Sequence, residues 1–508
     1  MKLTHQQNLL VVLIFILQTY LALIIPHLHA SPHTLRHTHY QNIAISRHAV
    51  AAAATSSSQA SSEDPDDSLL STTPLWLNQT LDHFDPQGSP KFRQRFFEYL
   101  DFFNAPHGPI FLIICGESTC PGILNDYIAV LAKKFGAALV TLEHRYYGFS
   151  YPFDNLSTEN LRYLNSKQAL SDLATFRNHY QDLINARYHR ASALPDNAWV
   201  TFGGSYAGAL SAWFRLKFPH LARGSLASSA IVNAIQDYFA FDQQVAKSIG
   251  QECAQALQAV KANVNHLLRK NATLLKSMFD AESIKNDVDF LSLLADSTAL
   301  AAQYGFQDLL CKPLVRSFNT RGSVLVAYQS FVKNTIYDGF GVDPLDYSRE
   351  IMKNSTHAGP NSGSRLWTYQ FCSEFGLLQA APPTNSIRFS QLNSKYYLDF
   401  CSYIFDKQVT PSSDATNLYY GGDDIAGSRI IFTNGSQDPW RHASKQVSSL
   451  GEPAIVINCQ NCAHCVDLSG CPQFPFHPQG NASLCEPREP IDKARMLIEH
   501  YIDAWITS

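Results

Sequence analysis

Residues 197 to 204 read NAWVTFGG and run directly into SYAGALSAWFRLKF. The first piece is an apolar run of strand length, and the second carries apolar residues at helix spacing, so a strand turns into a helix at Ser205. A sharp turn at that junction lifts a serine hydroxyl out of the sheet's C-terminal edge. It leaves no room for a side chain two residues earlier, where Gly203 stands. Ser205 is thereby a candidate nucleophile. The pattern departs from G-x-S-x-G in having Ala207 after the serine, and alanine is small enough to fit. The plain alternative is an inert serine in a glycine-rich turn.

The segments around this junction decide which sheet it belongs to. PIFLIICG (109–116) and AALVTLEHRYYG (137–148) are continuous apolar runs ending in glycine, as buried parallel strands do. SKQALSDLATFRNHYQDLI (166–184) places Leu170, Leu173, Phe176, Tyr180 and Leu183 on one helical stripe, and GSLASSAIV (224–232) reads as a further strand. Strands and helices alternating at this rhythm predict a parallel α/β sheet. From 233 to 415 the character changes to amphipathic helices, including 243–270 and 287–305, with few strand signals. The α/β pattern returns in SRIIFTNG (428–435), AIVINC (454–459) and a helix over 487–505. An inserted helical unit between two halves of one sheet, 74–232 and 416–508, explains this order.

A serine hydroxyl needs a base, and the base needs an orienting acid. In this strand order they follow as Ser, acid, His. RIIFTNG leads into SQDPWRHAS, placing Asp438 in the loop after a strand. AIVIN leads into NCQNCAHCVDLSGC, placing His464 in the next such loop. That second stretch also reads as a zinc site, since Cys459, Cys462, Cys465 and His464 are ligand types at tight spacing. An oxidising compartment would pair those thiols, which favours a catalytic loop pinned by disulfides.

The compartment is legible at the N-terminus. Lys2 precedes an apolar stretch over 9–25, and Ala30 is a suitable cleavage point, so 1–30 is expected to be a cleaved secretory signal. An uncleaved anchor is the alternative, because the apolar run approaches the about 20 residues of a membrane span. Residues 31–73, rich in His, Ser, Ala and acids, are expected to be disordered or propeptide-like. Eleven cysteines fit export, as do six N-x-S/T sequons, at Asn78, Asn155, Asn271, Asn354, Asn434 and Asn481. A net charge of −4 carries no basic footprint, so nucleic acid is not an expected partner.

LDHFDP (81–86), EHRYYGFSYPF (143–153), NLRYLNSKQALSDLATF (160–176), FGGSYAGALSAWFRLKFP (202–219), NGSQDPW (434–440) and AHCVDL (463–468) together resemble the lysosomal Pro-X carboxypeptidase and dipeptidyl-peptidase II group of serine peptidases. The resemblance spans the expected mature domain. It implies an α/β-hydrolase fold with a helical cap, and makes Ser205 the nucleophile, Asp438 the acid and His464 the base. Cys465 stands where this group commonly has a second histidine. The resemblance also implies a pocket for proline, for which Trp440 would be a wall.

The fold supplies expectations for the oxyanion donors, and the resemblance implies those for substrate and activity. Tyr206 N–H, one residue after the nucleophile, is the expected first oxyanion donor, and Glu117 N–H, in the loop after the 109–116 strand, the expected second. Losing one such donor removes about 3 to 4 kcal/mol of transition-state stabilisation. Glu143, His144 and Arg145 are expected to serve a loop held by internal salt bridges. Cys115–Cys120 and Cys372–Cys401 are candidate disulfides. No cofactor or metal is called for. The expected partners are short peptides with proline at P1, with a homodimer left open and no membrane span after signal cleavage. Removal of a C-terminal residue after proline is the preferred activity and removal of an N-terminal dipeptide the second. The rivals of another class are a catalytically inactive hydrolase fold and a zinc-stabilised binding protein. An esterase would share the triad. Extracellular space, lysosome or vacuole is the expected location.

Overall fold

The run IFLII, Ile110–Ile114, is buried at all five positions. Its side chains nevertheless divide between two cores, because successive residues on a strand point to opposite faces. Ile110, Leu112 and Ile114 join one hydrophobic cluster, and Phe111 and Ile113 another. Helices cover both faces, which is why such strands read as unbroken apolar runs.

The computed structural model describes residues 68–190, 194–406, 409–480 and 488–508. The expected signal, most of the 31–73 stretch and Asn481 lie outside these residues. The central sheet has eight strands: β1 Leu75–Thr80, β2 Lys91–Tyr99, β3 Ile110–Ile114, β4 Ala138–Leu142, β5 Trp199–Gly204, β6 Gly224–Ser228, β7 Ile430–Gly435 and β8 Ala454–Ile457. Their spatial order is β8-β7-β6-β5-β3-β4-β2-β1. Only β2 runs antiparallel to its neighbours β1 and β4, and every other pairing is parallel. This is the α/β-hydrolase fold.

Three helices flank the first half: α1 Tyr127–Phe135, α2 Ser166–Arg187 and α3 Ser205–Lys217. Residues of α2 and α3 join the cluster on one face, and those of α1 and the helix Glu489–Thr507 join the other. Asn165 starts α2 by accepting the Gln168 N–H at 3.0 Å, an N-cap. The buried stripe of α2 ends on Ile184, and Leu183, expected to belong to it, is 38% exposed.

Between β6 and β7 the chain is mainly helical, beginning with α4 Phe239–Ile249, α5 Gln251–Met278 and α6 Asp287–Gln303. The helix expected over 243–270 is interrupted at Gly250. One strand pair also lies here, Ile235–Asp237 parallel to Gly376–Leu378. Disulfides join Cys253 to Cys311 and Cys372 to Cys401 in this region. Elsewhere Cys115 bonds Cys120. Order begins earlier than 74, since Leu69–Ser71 pairs with Ile123–Leu124.

The polar residues after β4 are structural. Arg145 holds Asp172 through two bonds of 2.7 Å, and His83 adds a third contact at 2.8 Å. Glu143 accepts the Phe149 N–H at 3.0 Å and the Ser150 hydroxyl at 2.7 Å.

Of the sequons, Asn78, Asn155, Asn271 and Asn354 are exposed. Asn434 differs: it lies inside β7, 1% exposed, and its amide donates to the Lys445 carbonyl at 2.9 Å. That nitrogen is unavailable for a glycan in the folded chain.

Candidate active site

β5 ends at Gly204 and α3 begins at Ser205, with no intervening loop. The turn forces Ser205 to φ +60°, a left-handed conformation that stores about 1 to 3 kcal/mol in a non-glycine residue. A Cβ on Gly203 would stand 2.0 Å from the Ala207 carbonyl oxygen, so only glycine lets strand and helix approach this closely. Ser205 sits at the helix N-terminus, where the first backbone N–H groups have no intrahelical acceptor. Tyr206 N–H is one of these. A Cβ on Gly116 would touch the Ala207 Cβ at 3.4 Å, so the loop carrying Glu117 lies against the same first turn. Tyr206 is anchored from the other side, its hydroxyl 3.0 Å from His144 Nε2. Burial pushes the His144 ring down to about 4, so it is neutral there.

Asp438 and His464 are brought together. Asp438 Oδ2 lies 2.8 Å from His464 Nδ1, with both side chains fully buried. The other carboxylate oxygen accepts the Trp440 N–H at 2.9 Å. His464 is also fixed through its backbone, its N–H donating to the Gln303 carbonyl at 2.9 Å. Its Nε2 is buried and has no hydrogen-bond partner among the described residues. Burial works against a charge on this ring, but the Asp438 carboxylate and Cys465 outweigh it and hold the imidazole well above its ordinary range.

Contacts tie this loop to the serine's helix. Cys465 N–H donates to the Ser229 hydroxyl at 2.8 Å, and Cys465 Sγ faces the Ser228 carbonyl at 3.8 Å. A Cβ on Gly208 of α3 would meet that same carbonyl oxygen at 2.7 Å. The loop's zinc-like pair, Cys459 and Cys462, is joined as a disulfide, which removes both thiolates as ligands. Cys465 remains a buried free thiol.

Trp440 is 8% exposed and packs on Phe241 with ring centroids 4.7 Å apart. Its indole N–H donates to the Gln303 side-chain oxygen at 3.0 Å. Gln303 thus braces both the histidine and the tryptophan from the helical region. Nothing in the sequence marks it, because it is an ordinary residue at the end of α6. Trp440, Gln303 and Glu117 line a cavity of about 290 Å³. Burial pushes the Glu117 carboxyl up to about 7, against the opposing pull of its own N–H and the His464 ring.

The model of the serine carboxypeptidase S28 family matches residues 79–474. The chain belongs to that family. It is 49% identical over 438 residues to the probable serine protease EDA2 of Arabidopsis thaliana, covering 86% of this chain and 89% of that protein. It is 33% identical over 454 residues to the thymus-specific serine protease of Mus musculus, covering 82% and 86%. A probable extracellular serine carboxypeptidase of Arthroderma benhamiae is 26% identical over 450 residues, covering 74% of this chain and 61% of that protein. This S28 chain is therefore a serine peptidase by family, with peptides as its substrates.

Proposed function

We propose that Ser205, His464 and Asp438 are the nucleophile, base and orienting acid of an exopeptidase that cleaves after proline in short peptides. The observation that carries this reading is the buried Asp438–His464 pair, whose outer ring nitrogen has no hydrogen-bond partner among the described residues, together with Ser205 held in a strained conformation at the turn from β5 into α3. Ser205 Oγ attacks the scissile carbonyl carbon while its proton passes to His464 Nε2. Asp438 stabilises the imidazolium and holds its tautomer. The oxyanion takes hydrogen bonds from Tyr206 N–H and Glu117 N–H. Collapse expels the leaving amine, which receives the proton from Nε2, and water releases the acyl group by the same route. Trp440, set among Phe241 and Tyr238, offers a flat wall to a pyrrolidine ring.

The helical region between β6 and β7 acts as a cap that admits only the end of a peptide. A carboxypeptidase needs a cation for the substrate carboxylate, and a dipeptidyl peptidase needs an acceptor for the amine. The carboxypeptidase is the activity preferred from the sequence, without a residue located for either end of the peptide, while the acidic lining of the cavity favours the dipeptidyl peptidase. Disulfides among the described residues and an extracellular relative support the secretory pathway, ending outside the cell or in a lysosome or vacuole. Among the described residues no helix is long and apolar enough to cross a membrane.

The test is hydrolysis of Xaa-Pro-Yaa peptides by the full chain beside Ser205→Ala. Cleavage at the Pro-Yaa bond that disappears in the variant is expected. Activity that survives Ser205→Ala, or cleavage indifferent to proline, removes the reading.

A further inference from the structure

Four hydrogen bonds close a ring around the acid and the base, and one member of that ring belongs to the helical region. Asp438 Oδ2 faces His464 Nδ1 at 2.8 Å, and Asp438 Oδ1 accepts the Trp440 backbone N–H at 2.9 Å. The Trp440 indole N–H donates to Gln303 Oε1 at 3.0 Å, and the Gln303 backbone carbonyl accepts the His464 N–H at 2.9 Å. All four residues are buried. The carbonyl is available because Gln303 ends α6, where the last four carbonyls of a helix have no intrahelical donor. The Gln303 amide is held in turn, its Nε2 donating to the Tyr304 hydroxyl at 2.9 Å. Just beyond, Gly305 lies against the histidine's loop, since a Cβ there would stand 3.1 Å from the Asn461 carbonyl oxygen. A second bridge has the same form: Gln307 Nε2 donates to Gln437 Oε1 at 2.8 Å, and that oxygen also accepts the Asn461 N–H at 2.8 Å. The end of α6 and the residues after it are thus fastened to the acid's loop and the histidine's loop at once.

A buried ring of this kind keeps one geometry only while every member is satisfied, because a donor left without an acceptor bears its full desolvation cost. Here the wall of the proposed proline pocket and the backbone of the proposed base share a single glutamine. We propose that Gln303 is a positioning and specificity-determining residue: it holds His464 in register with Asp438 and passes the occupancy of the Trp440 wall to the base. A pyrrolidine ring pressed on the indole keeps its N–H aimed at Gln303 Oε1, and the His464 contact stays closed. A smaller side chain at P1 leaves the indole free to turn, which slackens both bonds. Proline is then favoured in kcat and not in binding alone. This deepens the triad reading and rests on it.

The experiment measures kcat and KM separately on Xaa-Pro-Yaa and Xaa-Ala-Yaa peptides, using the full chain and two variants whose folding is confirmed by thermal unfolding. Gln303→Met keeps the volume and the backbone carbonyl but removes the acceptor oxygen, whereas Gln303→Glu keeps an acceptor. On the proline peptide Gln303→Met is expected to lower kcat by about fivefold to 100-fold, while KM moves by less than about threefold. On the alanine peptide kcat should fall by less than about threefold, so the preference for proline narrows. Gln303→Glu should stay within about threefold of the unaltered chain on both peptides. If Gln303→Met does not fold, Trp440→Phe removes the donor of the same bond and is expected to reproduce the fall in kcat. An unchanged kcat, a loss confined to KM, equal losses on both peptides, or equal losses in both Gln303 variants overturns the assignment and leaves the serine peptidase intact. Cleavage that survives Ser205→Ala, or no cleavage by the unaltered chain, overturns both.

Discussion

Asp438→Asn changes one oxygen to an amide nitrogen and almost nothing in volume. Its effect follows from the two partners of the carboxylate. One oxygen accepts the Trp440 N–H at 2.9 Å, and the other faces His464 Nδ1 at 2.8 Å. The backbone donor is fixed, so an asparagine keeps its carbonyl oxygen there and turns its NH2 toward the ring. Nδ1 must then accept, the ring proton moves to Nε2, and Nε2 can no longer take the serine proton. The opposite flip sets two donors face to face in a dry site, which costs about 1 to 3 kcal/mol. Arresting the wrong tautomer lowers kcat by about 10⁴-fold, equivalent to about 5 kcal/mol of barrier. The assay is steady-state hydrolysis of a chromogenic Xaa-Pro substrate, with thermal unfolding to confirm the fold. A kcat within about tenfold of the unaltered chain would refute the tautomer argument.

Three further outcomes are open to measurement. Gly203→Ala should destabilise by about 3 kcal/mol or more or prevent folding, because its Cβ would stand 2.0 Å from the Ala207 carbonyl oxygen; a normal urea midpoint contradicts this. Since His464 is held above its ordinary range and must be neutral to act, kcat/KM should rise with pH along a limb above 6.5, and Cys465→Ala should move that limb down; an unmoved limb refutes the role of the thiol. The same raised affinity for a proton stabilises the fold below the ordinary histidine range, and that contribution fades as pH climbs through the raised value. Glycopeptide mass spectrometry should find Asn434 unoccupied in folded protein, and a glycan there would mean that β7 is not buried as described.

Where the sheet was legible, local sequence carried the whole signal. IFLII, ALVTL and WVTFGG announce buried strands because each is covered on both faces and needs no alternation. β2, KFRQRFFEY, hides behind interleaved charges, and its buried Gln94 breaks the apolar pattern. The pair Ile235–Asp237 and Gly376–Leu378 has three residues a side and distant partners, so no local pattern could reveal it. Ser205, Asp438 and His464 were proposed from the sequence because each follows a strand of the readable kind, and the structure keeps those strands. Gln303 could not, since its contacts come from tertiary packing alone. Glu117 drew notice in the sequence only for its place after the Ile110–Ile114 strand, and that it lines a cavity emerges only from the structure. The Asn434 sequon lies within a segment whose own apolar pattern already marked it as strand, and burial follows from that pattern.

The most direct measurement is covalent labelling of the full chain with a fluorophosphonate, followed by peptide mapping. One adduct, on Ser205, that is lost in Ser205→Ala and strongly slowed in His464→Ala is the predicted result. An adduct on a different residue, or labelling that is undiminished in Ser205→Ala, would contradict the account.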